Sequence, residues 1–441
     1  MNQKLLLSSI LVMAGFLLAP IAPVNAWGGI VNIDPELPGL SYSVQYPDYY
    51  YDVTNGRHHV AFDLSITEGG HEVWYATSTT GQDWTYLKVS PNSSVLSPWV
   101  QLAVTTNETV AVVFGSGVTE KSNVTLAWKG PSDPNFSLIQ LDKSLAGYST
   151  QVDVATSGNE IFTVFQHEGA IRAASTTTNY VPFNISEGTD DFRPRVAADS
   201  LGNFHIGWMA RSMPSDVYYT KYYANGTLTP PEMISRNMES SATMAIAVDH
   251  SNNLHIVYLW RNTDLVHATL EDAGWVFENV TTSMGMSGGN MYDPSLAVQP
   301  DGNLALAYQH GLTNVLYIIK HTSSAGWEVF YDDISAGYPK IAFDSAGKTH
   351  LIYQGGAVAG VHYDGQDTTS PSSSTTSAAS TVSSSATTYQ TDTITGSAGN
   401  QTSTTEGNEP PTSSTGFDFG TMAFVALGTI VAGLTFGRRR T

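Results

Sequence analysis

The sequence predicts an all-β fold, a β-propeller of seven blades, on three observations. A phrase recurs every 44 to 50 residues, apolar residues alternate with period 2 inside it, and turn-forming residues stand at one fixed place in each copy. Strong copies read RVAADSLGNFHIGW from Arg195, AIAVDHSNNLHIVY from Ala245, SLAVQPDGNLALAY from Ser295 and KIAFDSAGKTHLIY from Lys340. Weaker copies read VQLAVTTNETVAVVF from Val100 and TQVDVATSGNEIFTVF from Thr150. Aligned on Ala103, Asp153, Ala197, Ala247, Ala297 and Ala342, the steps are 50, 44, 50, 50 and 45 residues. A unit of this length built only of strand signals is one four-stranded blade.

Within each copy the second strand has a bulky face and a small one. Phe204, Ile206 and Trp208 lie on one side and His205 and Gly207 on the other, and Leu254, Ile256 and Tyr258 repeat the pattern against His255 and Val257. Radial packing needs this asymmetry, because each blade presses its large side into the small side of its neighbour. The turns DSLGN, DHSNN, QPDGN, DSAGK and TNGR carry the Asp, Asn, Ser and Gly that tight hairpins demand. They are too short to supply six oxygen ligands, which favours turns over calcium loops.

A third element leads in several copies to Gly-Trp, at Gly274-Trp275 and Gly326-Trp327, with the variant Gly81-Gln82-Asp83-Trp84. The stretch TSTTGQDW from Thr77 resembles a degenerate Asp-box, the Ser-X-Asp-X-Gly-X-Thr-Trp hairpin of sialidase-like propellers, with Thr77 for Ser, Thr79 for Asp and Asp83 for Thr. The resemblance implies a sialidase-like fold and places this hairpin at the blade periphery. Residues 27–366 provide 340 positions, and about 48 per blade gives seven; six or eight also fit, since the copy around YYYDVTNGRHHVAFDL is the most diverged. The last copy stops one strand short. Trp27 to Ile33 can supply that strand, which would close the ring and remove two exposed edges.

The ends predict export and tethering. Residues 1–26 have Lys4, an apolar run from Leu5 to Leu18 and small residues before Trp27, the plan of a signal peptide. Of the 49 residues from Asp367 to Thr415, 28 are Ser or Thr, so 367–416 reads as a disordered stalk. Phe419 to Gly437 gives 19 uncharged residues followed by Arg438, Arg439 and Arg440, so 417–441 reads as a transmembrane helix with its Arg cluster inside and the propeller outside. Ser414-Thr415-Gly416-Phe417, the apolar helix and the Arg cluster resemble the PGF-type C-terminal sorting signals of archaeal surface proteins, with Thr415 where that motif has Pro. The likeness implies a cell-surface protein whose helix is exchanged for a lipid.

No Cys is present, which excludes disulfides, thiolate zinc sites and a Cys nucleophile. Glycosylation candidates are Asn92, Asn107, Asn123, Asn135, Asn184, Asn225, Asn279 and Asn400, each in Asn-X-Ser/Thr. The formal charge of −20 makes nucleic acid a poor partner, whereas neutral glycans and cations remain acceptable ones.

No catalytic, cofactor-binding or metal-ligating residue stands out. His59, His205, His255 and His350 share one repeat position, which favours hydrogen bonding inside each blade over a metal site. Asp190-Asp191-Phe192-Arg193-Pro194 echoes the Phe-Arg-Ile-Pro motif of sialidases without its Ile, yet Pro194 matches Pro294 and Pro339 in register, so the phrase belongs to the repeat. Sialidase chemistry as the resemblance implies it needs three Arg, and Arg57, Arg172, Arg193, Arg195, Arg211, Arg236 and Arg261 do not single out a triad. The acid pairs Glu271-Asp272 and Asp332-Asp333 read as exposed turn residues before a glycosidase pair. The sequence therefore favours a non-enzymatic binding or adhesion module for glycans or envelope proteins, with an extracellular glycoside hydrolase or lyase as the alternative.

Overall fold

The computed structural model divides the chain into two compact units, Met1–Ser377 and Ala378–Thr441, and the described residues all belong to the first. They run from 31 to 366, leaving out 36–41, 67–69, 92–98, 119–120, 144, 146, 148, 212–214, 236–242, 262, 272, 287–290, 312, 323–325 and 356–359. The expected signal peptide, stalk and terminal apolar segment lie outside them, as do Asn92, Asn400, Arg236 and Asp272. No helix of the described residues is long and apolar enough to cross a membrane.

The fold is a β-propeller built of antiparallel sheets. After β1 (Val31–Asn32) comes a sheet of β2 (Tyr42–Asp52), β3 (Arg57–Ile66), β4 (Gly70–Ser78) and β5 (Thr85–Lys88). The second holds β6 (Val100–Val104), β7 (Val110–Val118), β8 (Lys121–Lys129) and β9 (Ser137–Gln140), and the third β10 (Ser149–Ser157), β11 (Glu160–His167), β12 (Ala170–Ser175) and β13 (Phe183–Asn184). The fourth holds β14 (Asp191–Ala198), β15 (Phe204–Ala210), β16 (Asp216–Tyr222) and β17 (Glu232–Met233). The fifth holds β18 (Met244–Val248), β19 (Leu254–Trp260), β20 (Asp264–Glu271) and β21 (Gly274–Asn279), and is followed by a single helical turn, α1 (Val280–Ser283).

The remaining strands, β22 (Met291–Val298), β23 (Leu304–His310), β24 (Val315–Thr322), β25 (Gly326–Phe343), β26 (Thr349–Gly355) and β27 (Val361–Gln366), form one sheet in the order β1-β27-β26-β25-β24-β23-β22. β25 joins two blades without a loop. It pairs with β24 as far as Ser335, opposite Val315, and with β26 from Ala336, opposite Gly355. Asp332 and Asp333 thus lie inside a strand, and the expectation that they form a turn is corrected: the chain passes from outer to inner strand here without turning. At the other edge β1 pairs with β27, Val31 opposite Tyr363 and Asn32 opposite His362, so the N-terminal segment completes the last blade. The innermost strands β2, β6, β10, β14, β18, β22 and β25 each contact the next, and β25 returns to β2.

The bulky-to-small packing follows the sequence pattern. Phe204, Ile206 and Trp208 are buried against Phe162, Val164 and Ile171 of the preceding sheet, and Phe162 and Phe204 stack at 4.3 Å. Gly207, on the opposite face, meets the next sheet so closely that a Cβ there would lie 3.0 Å from Met244 Cε. Burying side chains of this size is worth roughly 1.5–3 kcal/mol each, and that packing holds neighbouring blades together.

The turns are hairpins, as their composition requires. Asp199 Oδ1 accepts from the backbone N–H of Leu201 and Asn203, Asp249 repeats this with Ser251 and Asn253, and Asp344 with Ala346 and Lys348. The Asp-box-like stretch is the hairpin between β4 and β5, at the edge of its blade: Ser78 Oγ accepts from Gly81 N at 2.9 Å and Trp84 Nε1 donates to Gly81 O at 3.2 Å. One register differs from the sequence alignment. β10 and β11 are joined by the two-residue turn Gly158-Asn159, where β14 and β15 use five residues, so Ala155, not Asp153, occupies the Ala197 position. Asp153 matches Arg195 instead.

Candidate functional site

Five innermost strands carry a β-bulge, near the start of four and, in β25, near the start of its pairing with β26, and at each the chain passes through a left-handed, non-glycine residue. These are Tyr46 (φ 50°), Gln151 (43°), Arg193 (50°), Asp293 (49°) and Tyr338 (52°). Such backbone costs on the order of 1–3 kcal/mol per residue and survives where the surroundings over-determine it, typically at functional sites. Four of the five precede a buried proline, Pro47, Pro194, Pro294 and Pro339. The proline fixes the chain and the bulge re-aims the side chain before it, so one backbone device presents a different group from each blade.

These groups meet in a crevice lined by Tyr46, Trp99, Gln101, Arg195, Thr243, Asp293, Tyr338 and Lys340, from six of the innermost strands or their leading residues. Tyr46 stands edge-on to Tyr338 at 4.7 Å and stacks toward Trp99 at 6.5 Å, forming an aromatic wall. The Arg193 guanidinium lies over the Trp99 ring at 5.8 Å. The crevice itself is narrow, about 50 Å³, against 330–420 Å³ for three clefts between neighbouring sheets. A ligand would rest across the mouth and insert a polar substituent, since the opening is far below the size of pockets that engulf a ligand.

The residues two places further along each strand tie the blades together. Asp48 Oδ2 accepts from Leu102 N at 2.6 Å, Asp153 Oδ2 from Val196 N at 2.8 Å and Ser295 Oγ from Ile341 N at 3.2 Å, each reaching the next blade. Asp48 also pairs with Lys340 at 2.9 Å. Burial raises Asp153 to about 6 although Arg195 and the Val196 amide favour its ionised form. Burial likewise raises Asp293, opposed by Arg193, Lys340 and Arg195, and raises the Tyr338 phenol, to which Asp293 adds. Arg193 is lowered, by burial first and then by Arg195.

The structure brings together two of the seven arginines, Arg193 and Arg195, with Arg211 near enough to act on Arg193 while its guanidinium covers Phe192 at 4.9 Å. Arg57 and Arg172 sit in other sheets, and Arg261 stacks on Trp260 at 4.5 Å. The four repeated histidines bond inside their blades: His59, His205 and His350 share hydrogen bonds of 2.6, 2.8 and 2.9 Å with the hydroxyls of Tyr75, Tyr219 and Tyr363, and His255 one of 3.0 Å with His267. Among the described residues no group of three His, Asp or Glu is placed to hold a metal ion. Glu271 is exposed at the end of β20. Of the glycosylation candidates, Asn107, Asn135, Asn184 and Asn225 are exposed, and Asn123 and Asn279 half-buried; they are spread over several blades. The bulge residues went unrecognised in the sequence as site residues because their side chains differ from blade to blade. The signal available was the recurring X-Pro.

No protein-family model matches the chain, and no curated protein is similar to it in sequence. Solved structures do resemble it. A protein of unknown function from Dyadobacter fermentans has a TM-score of 0.51 at 12% identity, covering 78% of this chain and 98% of its own. An α-L-arabinanase from Penicillium chrysogenum, complexed with arabinobiose, follows at 0.49 and 12%, covering 77% and 97%. A Trypanosoma rangeli sialidase has 0.47 and 12%, covering 77% and 58%. At these identities the likeness concerns the fold alone.

Proposed function

We propose that the chain is an exported, glycosylated, seven-bladed propeller, tethered to its membrane by the C-terminal segment, that binds glycans at the mouth of its central channel without transforming them. The observation that carries this is the bulge-built crevice, which is lined by the aromatic Tyr46, Trp99 and Tyr338 together with the charged Arg195, Asp293 and Lys340. Aromatic faces receive the C–H side of a sugar ring while the charged groups read its hydroxyls and substituents. Envelope glycoproteins displaying such sugars are partners of the same chemistry. The expected seat of action is the outer cell surface, and the archaeal-type sorting tail would fix it there.

The test is retention of glycans, including those of the producing organism's envelope, on the full-length protein, read by mass spectrometry. Intact glycan held by the wild type and released by Trp99→Ala is the expected outcome; equal retention by both would move the site elsewhere. A second reading, glycoside hydrolysis or lysis at the same mouth, draws on Asp293, a carboxyl pushed up by burial beside Arg193. Shortened or unsaturated products would establish it over simple binding.

A further inference from the structure

The cleft between the fourth and fifth sheets has a glycosylation sequon built into its wall. It measures about 330 Å³ and is lined almost entirely by apolar groups, with Tyr258, Trp260, Val266 and Phe277 on the fifth sheet and Ile234 on the fourth. Asn279 lines it too. The pairing explains why: Tyr258 lies opposite Val266 and Val266 opposite Asn279, so the three side chains form one row across the sheet. Phe277, two residues before Asn279 on the same face of β21, is 46% exposed. An aromatic left this open calls for a partner.

We propose that Asn279 carries an N-linked glycan whose first sugars lie in this cleft against Phe277, Trp260 and Tyr258. The inference rests on the export and glycosylation reading above. Asn279 caps α1, its Oδ1 accepting from Thr282 N at 2.9 Å, which fixes the amide and leaves Nδ2, the atom that bears the sugar, outside the cap. The sequon hydroxyl is not free in the folded protein. Thr281 is fully buried, its Oγ1 donating to Asp264 Oδ1 at 3.1 Å and accepting from Leu265 N at 3.1 Å. The sugar is therefore added before this blade closes, and folding then lays it against the aromatic row. Asn225 offers a contrast, since it is exposed in a turn and lies outside the cleft lining.

The experiment uses full-length protein from its own membranes and the same chain made in a host that does not glycosylate. Glycopeptide mass spectrometry reads Asn107, Asn225 and Asn279; melting temperatures compare wild type with Asn279→Asp, which keeps a capping carboxylate and removes the sequon. Asn279 should be occupied, and Asn279→Asp should melt several degrees below wild type only in the glycosylated material. Occupied Asn107 or Asn225 with bare Asn279 overturns the inference, as does an occupied Asn279 whose loss leaves melting unchanged. If every sequon of the chain is bare, the glycosylation reading itself fails.

Discussion

The two ends of the innermost strands obey opposite rules. At the hairpin end the repeat keeps its side chains: an Asp-capped turn, then a His bonded to a Tyr of the third strand, recurs with His205–Tyr219 and His350–Tyr363, and His59–Tyr75 shares the pair. At the mouth it keeps its backbone, the bulge with φ near 50° and, in four of five copies, the proline after it, and changes the side chain at the bulge to Tyr, Gln, Arg or Asp. Repeated side chains signal a shared structural task, whereas a repeated strain with varied side chains signals a shared scaffold and an individual task for each group.

That contrast can be broken most directly with two tryptophans. Trp208→Ala removes a ring from the packed face and should cost roughly 3–5 kcal/mol in denaturant unfolding, while Trp99→Ala, at the mouth, should stay within about 1 kcal/mol. Equal losses would remove the distinction. Next comes acid. Burial lowers His58 and His267 to about 3 and His59, His205 and His350 to about 4, from an unfolded value of 6.5. The unfolded chain then binds more protons than the native one below 6.5, so these five contribute stability above that pH and lose it as pH falls toward 3. Asp63 and Asp153, raised by burial to about 6, act in the opposite sense between 6 and 3.8, as do Asp34, Asp191 and Asp293, also raised by burial, but the lowered His255, Asp199 and Asp249 add to the loss on acidification. Melting temperature should fall steadily from pH 7 to pH 4; a flat profile would show that the imidazoles are solvated.

A smaller effect tests the repeat itself. Tyr219→Phe and Tyr75→Phe each remove one hydroxyl from a His–Tyr pair and should each cost about 1 kcal/mol, with similar values because the two sites are copies. Widely different values would mean that the pairs do not share one task. Smallest is Arg193→Gly, which relieves a left-handed residue and should leave stability unchanged or raised by up to about 1 kcal/mol while weakening glycan retention. Lost stability there would make Arg193 a structural group.

Period-2 patterning exposed the packing faces because Phe204, Ile206 and Trp208 are read by the same rule in every blade. It could not expose the mouth, where a bulge breaks the period at Arg193 and Asp293. Pro194, Pro294 and Pro339 were visible as a shared register; that they hold the preceding residue at positive φ depends on contacts from other blades, such as Gln151 Oε1 accepting from Arg193 N at 2.6 Å. A further regularity of the blades has no distinctive sequence signature. Ser90, Ser186, Ser235 and Thr281 each accept a third-strand N–H through their side-chain hydroxyl. A lone Ser or Thr after an apolar residue is too common to announce itself. The third blade misled the alignment because its two-residue turn shifts the frame.

β25 has a dynamic consequence. Elsewhere the last strand of one blade and the first of the next are separate strands, so each blade can open with little disturbance of its neighbour, as in other repeat architectures. Through Ser335 and Ala336 β25 passes directly from pairing with β24 to pairing with β26. The last two blades thus form one cooperative opening unit, whose amide protons should exchange with a common free energy while the other blades exchange each with its own.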